Sequence, residues 1–292
     1  MEKLIEALYG GLLTGSVLGL MAIGLTLIWG ALRMLNLAHG AIYLVGGYVA
    51  WMLINWYELS FIPAFVIGVA AAALVGLIMQ ITLINPMLGK PGWDTASMIA
   101  TLGAGIAIES IILLVFGARV KQMPTTFEGS FTIMGVPKAN QGLFIIFAAL
   151  ISLFLLSTFL RRSRYGMAVR AVSQQMDAAQ LMGIPTKRIF LIVMGVSAAL
   201  AGLAGVLLSS IFYLTPTAGF NPMVQALVVT IFGGLGSVKG TIWAAYIIGL
   251  LQAFLTVYMG ASWALPGLFL FMIVMLTFRP NGLFGLGEAQ RL

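Results

Sequence analysis

The chain alternates long apolar runs with short polar interruptions. No Asp, Glu, Lys or Arg lies between Glu6 and Arg33, Arg33 and Glu58, Glu58 and Lys90, Lys138 and Arg161, Arg188 and Lys239, or Lys239 and Arg279. A helix needs about 20 apolar residues to cross a hydrocarbon core, so each gap holds one span or two. The pattern predicts spans at residues 8–32, 39–56, 61–84, 95–116, 142–160, 189–213, 223–235, 241–258 and 263–278. The seventh is short, and both a crossing and a re-entrant reading stay open. The predicted fold is all-α, a single polytopic transmembrane bundle of about 8–9 segments over residues 1–292, with an outer loop at 117–141 and a polar cytoplasmic segment at 161–188.

Composition sets the solvent. The chain is 61% hydrophobic and 8% charged, against about 45–50% apolar and about 25% charged for a soluble domain. Its 35 glycines suit membrane helices, where small residues let backbones approach closely. The absence of cysteine excludes a disulfide frame, a CxxC metal site and thiol chemistry.

The net charge of +7 is spread over span ends rather than gathered on one face, so it reads as a topology signal and not as a nucleic-acid surface. With 161–188 cytoplasmic, alternation places Arg33, Lys90, Lys239, Arg279 and Arg291 on the same side. Lys3, Arg119, Lys121 and Lys138 fall outside, leaving 11 of the 15 cations inside. The apolar run after the N-terminus is too long for a cleaved signal peptide and is expected to be a retained span.

Residues 35–49 can be laid on 235–249, matching His39 with Lys239, Gly40 with Gly240 and Ile42 with Ile242. Transporters are often built from repeats with broken helices at the substrate path. Shared glycines in a glycine-rich chain also arise by chance, and both readings stand.

Five residues are candidates for the translocation path. Asn36, His39 and Gly40 stand at a helix break, where freed backbone is tolerable only beside protein or a water-filled cavity. Glu109 is the acid inside an otherwise apolar span, and such acids usually face an interior. Asn221, before Pro222, flanks the short seventh span together with the turn 233–237. Against these stand a cap or hinge role for Asn36 and His39, a packing role for Glu109 and a plain loop at Asn221.

Residues 168–182 read as one amphipathic helix, with Val169, Val172, Met176, Ala179 and Met182 on one face and Arg170, Ser173, Gln174 and Asp177 on another. Gly183 and Pro185 end it. Such a helix fits a groove of a soluble partner or, equally, an anionic lipid surface.

The stretch from Arg164 onward resembles the branched-chain amino acid ABC transporter permease family. The resemblance rests on Arg170-Ala171, Asp177-Ala178-Ala179, Leu181-Met182-Gly183-Ile184 and the AGLAG run at 201–205. MLNLAHG at 34–40 and FRPNGLFG at 278–285 resemble the same family, so the likeness runs nearly end to end. Chain length and the position of the His39-Gly40 element resemble the LivH-type subunit.

That resemblance implies a cell inner membrane protein working with a second, LivM-type permease, two cytoplasmic ATP-binding subunits and a periplasmic amino-acid-binding protein. It places Arg170, Ala171, Asp177, Ala178, Ala179, Met182, Gly183 and Ile184 in the coupling segment. The chain lacks a GxxxxGK[ST] loop, the nearest stretch being Gly89-Lys90 before a proline. ATP and Mg are therefore expected on partner chains, with no cofactor, metal or catalytic residue here. A secondary transporter or channel would need a proton relay or charged ring, for which the sequence offers His39 and Glu109 alone.

Overall fold

The computed structural model describes residues 1–124 and 126–284; Gly285 of the C-terminal motif and Arg291 of the charge count lie outside them. The helices are α1 (Glu2–Leu32), α2 (His39–Tyr57), α3 (Phe61–Met79, continued by a π-helical turn Gln80–Ile84), α4 (Trp93–Phe116), α5 (Asn140–Arg162), α6 (Arg164–Gln174), α7 (Met176–Leu181), α8 (Thr186–Ser209), α9 (Phe220–Gly233), α10 (Val238–Met259) and α11 (Ala264–Phe278). Seven apolar helical stretches have the length and hydropathy to cross a membrane. Helix α2, diluted by His39 and its tyrosines, and the 14-residue α9 complete the bundle.

Two expectations are corrected, and the outer loop carries regular structure of its own. The sixth span stops at Ser209, not 213, because the Ser209 and Ser210 hydroxyls bond back to the Val206 and Leu207 carbonyls and the chain turns away to pair Leu214 with Lys121. The outer loop is not plain coil: β1 (Ser130–Ile133) and β2 (Val136–Ala139) form an antiparallel hairpin. Its turn residues Met134 and Gly135 both have positive φ, at 47° and 87°, as a twisted two-residue hairpin requires. The single helix expected at 168–182 is two, α6 and α7, separated at Gln175, whose φ of −152° and ψ of 108° are extended.

Helix α1 is the axis of the bundle, apolar on every side and buried from Val17 to Leu27. Lipid gives no hydrophobic drive for helices to associate, so close van der Waals packing and interhelical hydrogen bonds must hold them. Gly11, Gly15 and Gly19 form the α1 side of its contact with α10, where a Cβ built on Gly249 would stand 2.6 Å from the Gly15 Cα. The AGLAG run on α8 does the same for α2, with Gly202 and Gly205 seated against Gly46 and Tyr43. That motif is packing surface.

Two polar ties cross the α1–α10 contact: the Ser16 and Tyr246 hydroxyls lie 3.2 Å apart, and those of Thr26 and Thr241, both buried, 2.7 Å apart. Thr241 also donates to the Ser237 carbonyl at 2.9 Å, so the shared proton comes from Thr26. A double-mutant cycle over Thr26→Val and Thr241→Val is expected to give a coupling of about 0.6 kcal/mol and no more than about 1.7 kcal/mol. Reversible unfolding of the four variants in detergent checks it, and additive single effects would remove the bond from the account.

The ends of the bundle sort by charge. Arg33 meets the 161–188 segment, and Gly236 of the α9–α10 turn lies against Gly30. At the opposite end the 117–139 loop meets Tyr9, Trp51 and Leu214. Arg33, the 161–188 segment and the turn before Lys239 thus share one end.

Candidate functional site

The chain breaks after α1 and re-enters the bundle before starting α2. Arg33 adopts the left-handed conformation, φ 56° and ψ 24°, and closes α1. Asn36 then closes a turn just ahead of α2, its Oδ1 accepting the Ala38 N–H at 3.0 Å while its amide points to the Met194 sulfur at 3.6 Å. His39 bonds the Met21 carbonyl through Nε2 at 3.1 Å. Because a carbonyl only accepts, Nε2 carries the proton and Nδ1 keeps its lone pair, unpartnered beside it. Gly24 makes room for this contact: a Cβ there would be 2.8 Å from the His39 ring and 3.0 Å from Ser197 Oγ. The imidazole therefore sits where α1, α2 and α8 meet. Asn36 and His39 are fully buried and present no surface to a solute.

Gly40 packs instead on Gly219, at the start of α9, backbone against backbone; a Cβ on Gly40 would be 2.9 Å from the Gly219 carbonyl carbon. The other end of α9 repeats the arrangement, with Gly233 against Gly240, where a Cβ on Gly233 would be 2.6 Å from the Thr241 nitrogen. The two stretches that echo each other in the sequence thus meet one short helix at its two ends. Helix α9 is oblique, since Thr230 bonds the Ala22 carbonyl at 3.0 Å, beside the level of His39.

Glu109 and Asn221 are placed differently from the other path candidates. Helix α4 runs parallel to α2: Thr101 accepts the Leu37 N–H at 3.2 Å, Gly105 packs on Ala38, and the Phe116 and Tyr48 rings lie 4.9 Å apart. Glu109, one turn beyond Gly105, is half-buried and stands level with residues 41–42. Asn221, two residues after Gly219, is exposed on the other flank of α2 at the same level, because Gly219 lies between Gly40 and Leu44.

The 161–188 segment divides into an anchored side and a free side. Val169, Val172 and Ala179 are buried against the bundle, with Ala171 and Ile184 partly so. The Arg33 guanidinium donates to the Ser173 carbonyl at 2.9 Å, placing a cation at the C-terminal turn of α6 where the helix dipole favours it. Arg170, Asp177, Ala178, Met182 and Gly183 face outward. Gly183 has φ 81° and stops α7, whose Ala179 carbonyl takes the Ile184 N–H at 3.0 Å. Met182, expected on the same apolar face as Val169, is 83% exposed, since α7 ends at Leu181 and Met182 leaves the helical path while Ala179, still within α7, stays buried. Its neighbour Leu181, which periodicity did not single out as a site, is 89% exposed. The signal available was an apolar pair directly before a Gly-Ile-Pro stop.

This arrangement is that of a membrane permease: an apolar bundle with a glycine-jointed broken helix inside and an anchored polar segment at its basic end. The family pattern described as branched-chain amino acid transport system, permease component, matches residues 7–278, and the chain belongs to that family. It is 28% identical to the high-affinity branched-chain amino acid transport system permease protein BraD of Pseudomonas aeruginosa, over 99% of this chain and 98% of that one. It is 31% identical to the probable branched-chain amino acid transport permease protein LivH of Methanocaldococcus jannaschii, over 97% and 93%. Among solved structures, PsaBC from Streptococcus pneumoniae in complex with Fab has a similar fold, with TM-score 0.53 and 18% identity over 96% of this chain and 93% of that one.

Proposed function

We propose that this chain is the membrane-spanning permease subunit of an ATP-driven importer that carries leucine, isoleucine and valine across a bacterial inner membrane. Its companions are a second, homologous permease, two cytoplasmic ATP-hydrolysing subunits and a periplasmic binding protein. The observation that carries the reading is the Leu181–Met182 knob, two large apolar side chains held out at the basic end by a segment otherwise anchored to the bundle.

An exposed apolar pair on a rigid mount has the form of a plug for a groove in a soluble partner. Motion of that partner passes through α6, by way of Arg33 and Ser173, to α1, and α1 touches the helix break at Met21. Closure of the ATP-hydrolysing pair then favours one arrangement of the bundle over the other, and only this difference in free energy can drive the exchange. At the opposite end the hairpin loop, with Arg119, Lys121 and Lys138, forms the landing surface for the binding protein. Recognition of the solute is left to that protein, since the bundle offers few polar groups for a zwitterion.

Reconstitution tests the reading. Vesicles holding the chain with its companions are expected to accumulate leucine only with ATP and the binding protein present, and the chain alone is expected to pass none. Flux of leucine through the isolated chain would overturn the proposal.

A further inference from the structure

The membrane-level surface of the bundle is of two kinds. On α3 the exposed positions between the helix ends are hydrocarbon throughout, such as Val66, Leu74 and Ile78; α5 exposes Phe147, Ile151 and Phe154 and carries only the uncharged hydroxyls of Ser152, Ser157 and Thr158 half-buried. Helix α4 instead exposes Gly103 and Ser110 among its apolar side chains and leaves Glu109 half open. Its nearest cations in sequence, Lys90 and Arg119, lie beyond its two ends. Across α2, Thr217 and Asn221 are exposed, and the chain descends without regular structure from Leu214 at the outer-loop end to Gly219 at the level of Gly40.

Lipid is a poor neighbour for this second face. Irregular backbone and ionisable side chains at membrane depth are tolerated only against protein or a water-filled cavity enclosed by protein. A soluble partner cannot reach this level, so the occupant is another membrane-spanning chain. Resting on the functional reading above, which supplies such a chain, we propose that the second permease packs against α4 beside the start of α9. Glu109, Ser110, Thr217 and Asn221 then line a polar seam between the two chains through which the amino acid passes. Glu109 offers an acceptor for the ammonium group and the Asn221 amide a donor for the carboxylate, while α3 and α5 face lipid.

The test uses the full complex in vesicles and exploits the absence of cysteine from this chain. A benzophenone maleimide on Ile106→Cys, in the exposed face of α4, is expected to crosslink to the second permease; the same probe on Phe154→Cys is expected to give lipid adducts. A charged, membrane-impermeant methanethiosulfonate should modify Asn221→Cys at least about tenfold faster than Phe154→Cys, because the reactive thiolate forms only where water reaches it. Co-purification of the ATP-hydrolysing chains reports that each variant is folded. Crosslinks to the second permease from α5 in place of α4, or equal modification of the two cysteines, would overturn this assignment alone. Failure of the unsubstituted chain to bring down a second permease would overturn the functional reading with it.

Discussion

Replacing Leu181 and Met182 together by aspartate is expected to strip the ATP-hydrolysing subunits from the complex and abolish ATP-driven uptake. Both side chains are almost fully exposed in the chain itself, so the change costs its fold little. If they fill a groove in a partner, each contributes about 1.5–3 kcal/mol by burial. Losing both, about 3–6 kcal/mol, weakens association by about a hundred- to ten-thousand-fold. Introducing two carboxylates into an apolar groove adds a desolvation penalty in the same direction. Co-purification of the ATP-hydrolysing subunits and uptake in vesicles are the readouts, with Met182→Leu as the volume-conserving control expected to keep both. A doubly substituted chain that still holds its partners at full stoichiometry would show that the knob is not the grip.

The second large effect lies at the joint between α2 and α9. Gly40→Val and Gly219→Val each place branched carbon where the other glycine's carbonyl now stands, and the obstacle is backbone, which cannot rotate away. Overpacking of a close-packed site costs about 1–3 kcal/mol and occasionally more; here α9 is also held by α1 and α2 by α3 and α8, which leaves little room to relax. Either variant is expected to lower the thermal midpoint in detergent sharply and to lose uptake. Gly10→Ala, whose Cβ would meet the Ala253 methyl at an ordinary 3.6 Å, is expected to be near neutral. Equal midpoints for Gly40→Val and Gly10→Ala would mean that the close approach of α2 and α9 is not a constraint on the fold.

The coupling segment shows how far periodicity reaches. Val169, Val172 and Ala179 were legible as the buried side of 168–182, and all three are buried. Met182 was grouped with them because a continuous helix would carry it there. One extended residue, Gln175, splits the helix, and the short second piece keeps Ala179 inward but ends at Leu181, so Met182 leaves the helical path and points outward with Leu181. No spacing rule locates such a break, since Gln is neither a strong helix breaker nor a turn former. Asn36 is a converse case: its type and place before a helix suit a local turn, and its Oδ1 takes the Ala38 N–H just ahead of α2.

Amino-acid order by itself determined the solvent, the number of apolar segments to within the short ones, the charged end and the family, because each depends on local composition or on residues contiguous in the chain. Tertiary structure alone decided that α1 is the axis, that AGLAG is a packing surface, that His39 is sealed between three helices, and that Glu109 and Asn221 stand level on two flanks of α2. Those facts depend on which apolar face meets which. In a chain whose helices are hydrophobic on every side, the one-dimensional pattern carries almost no information about orientation, and glycine contacts across distant helices supply it.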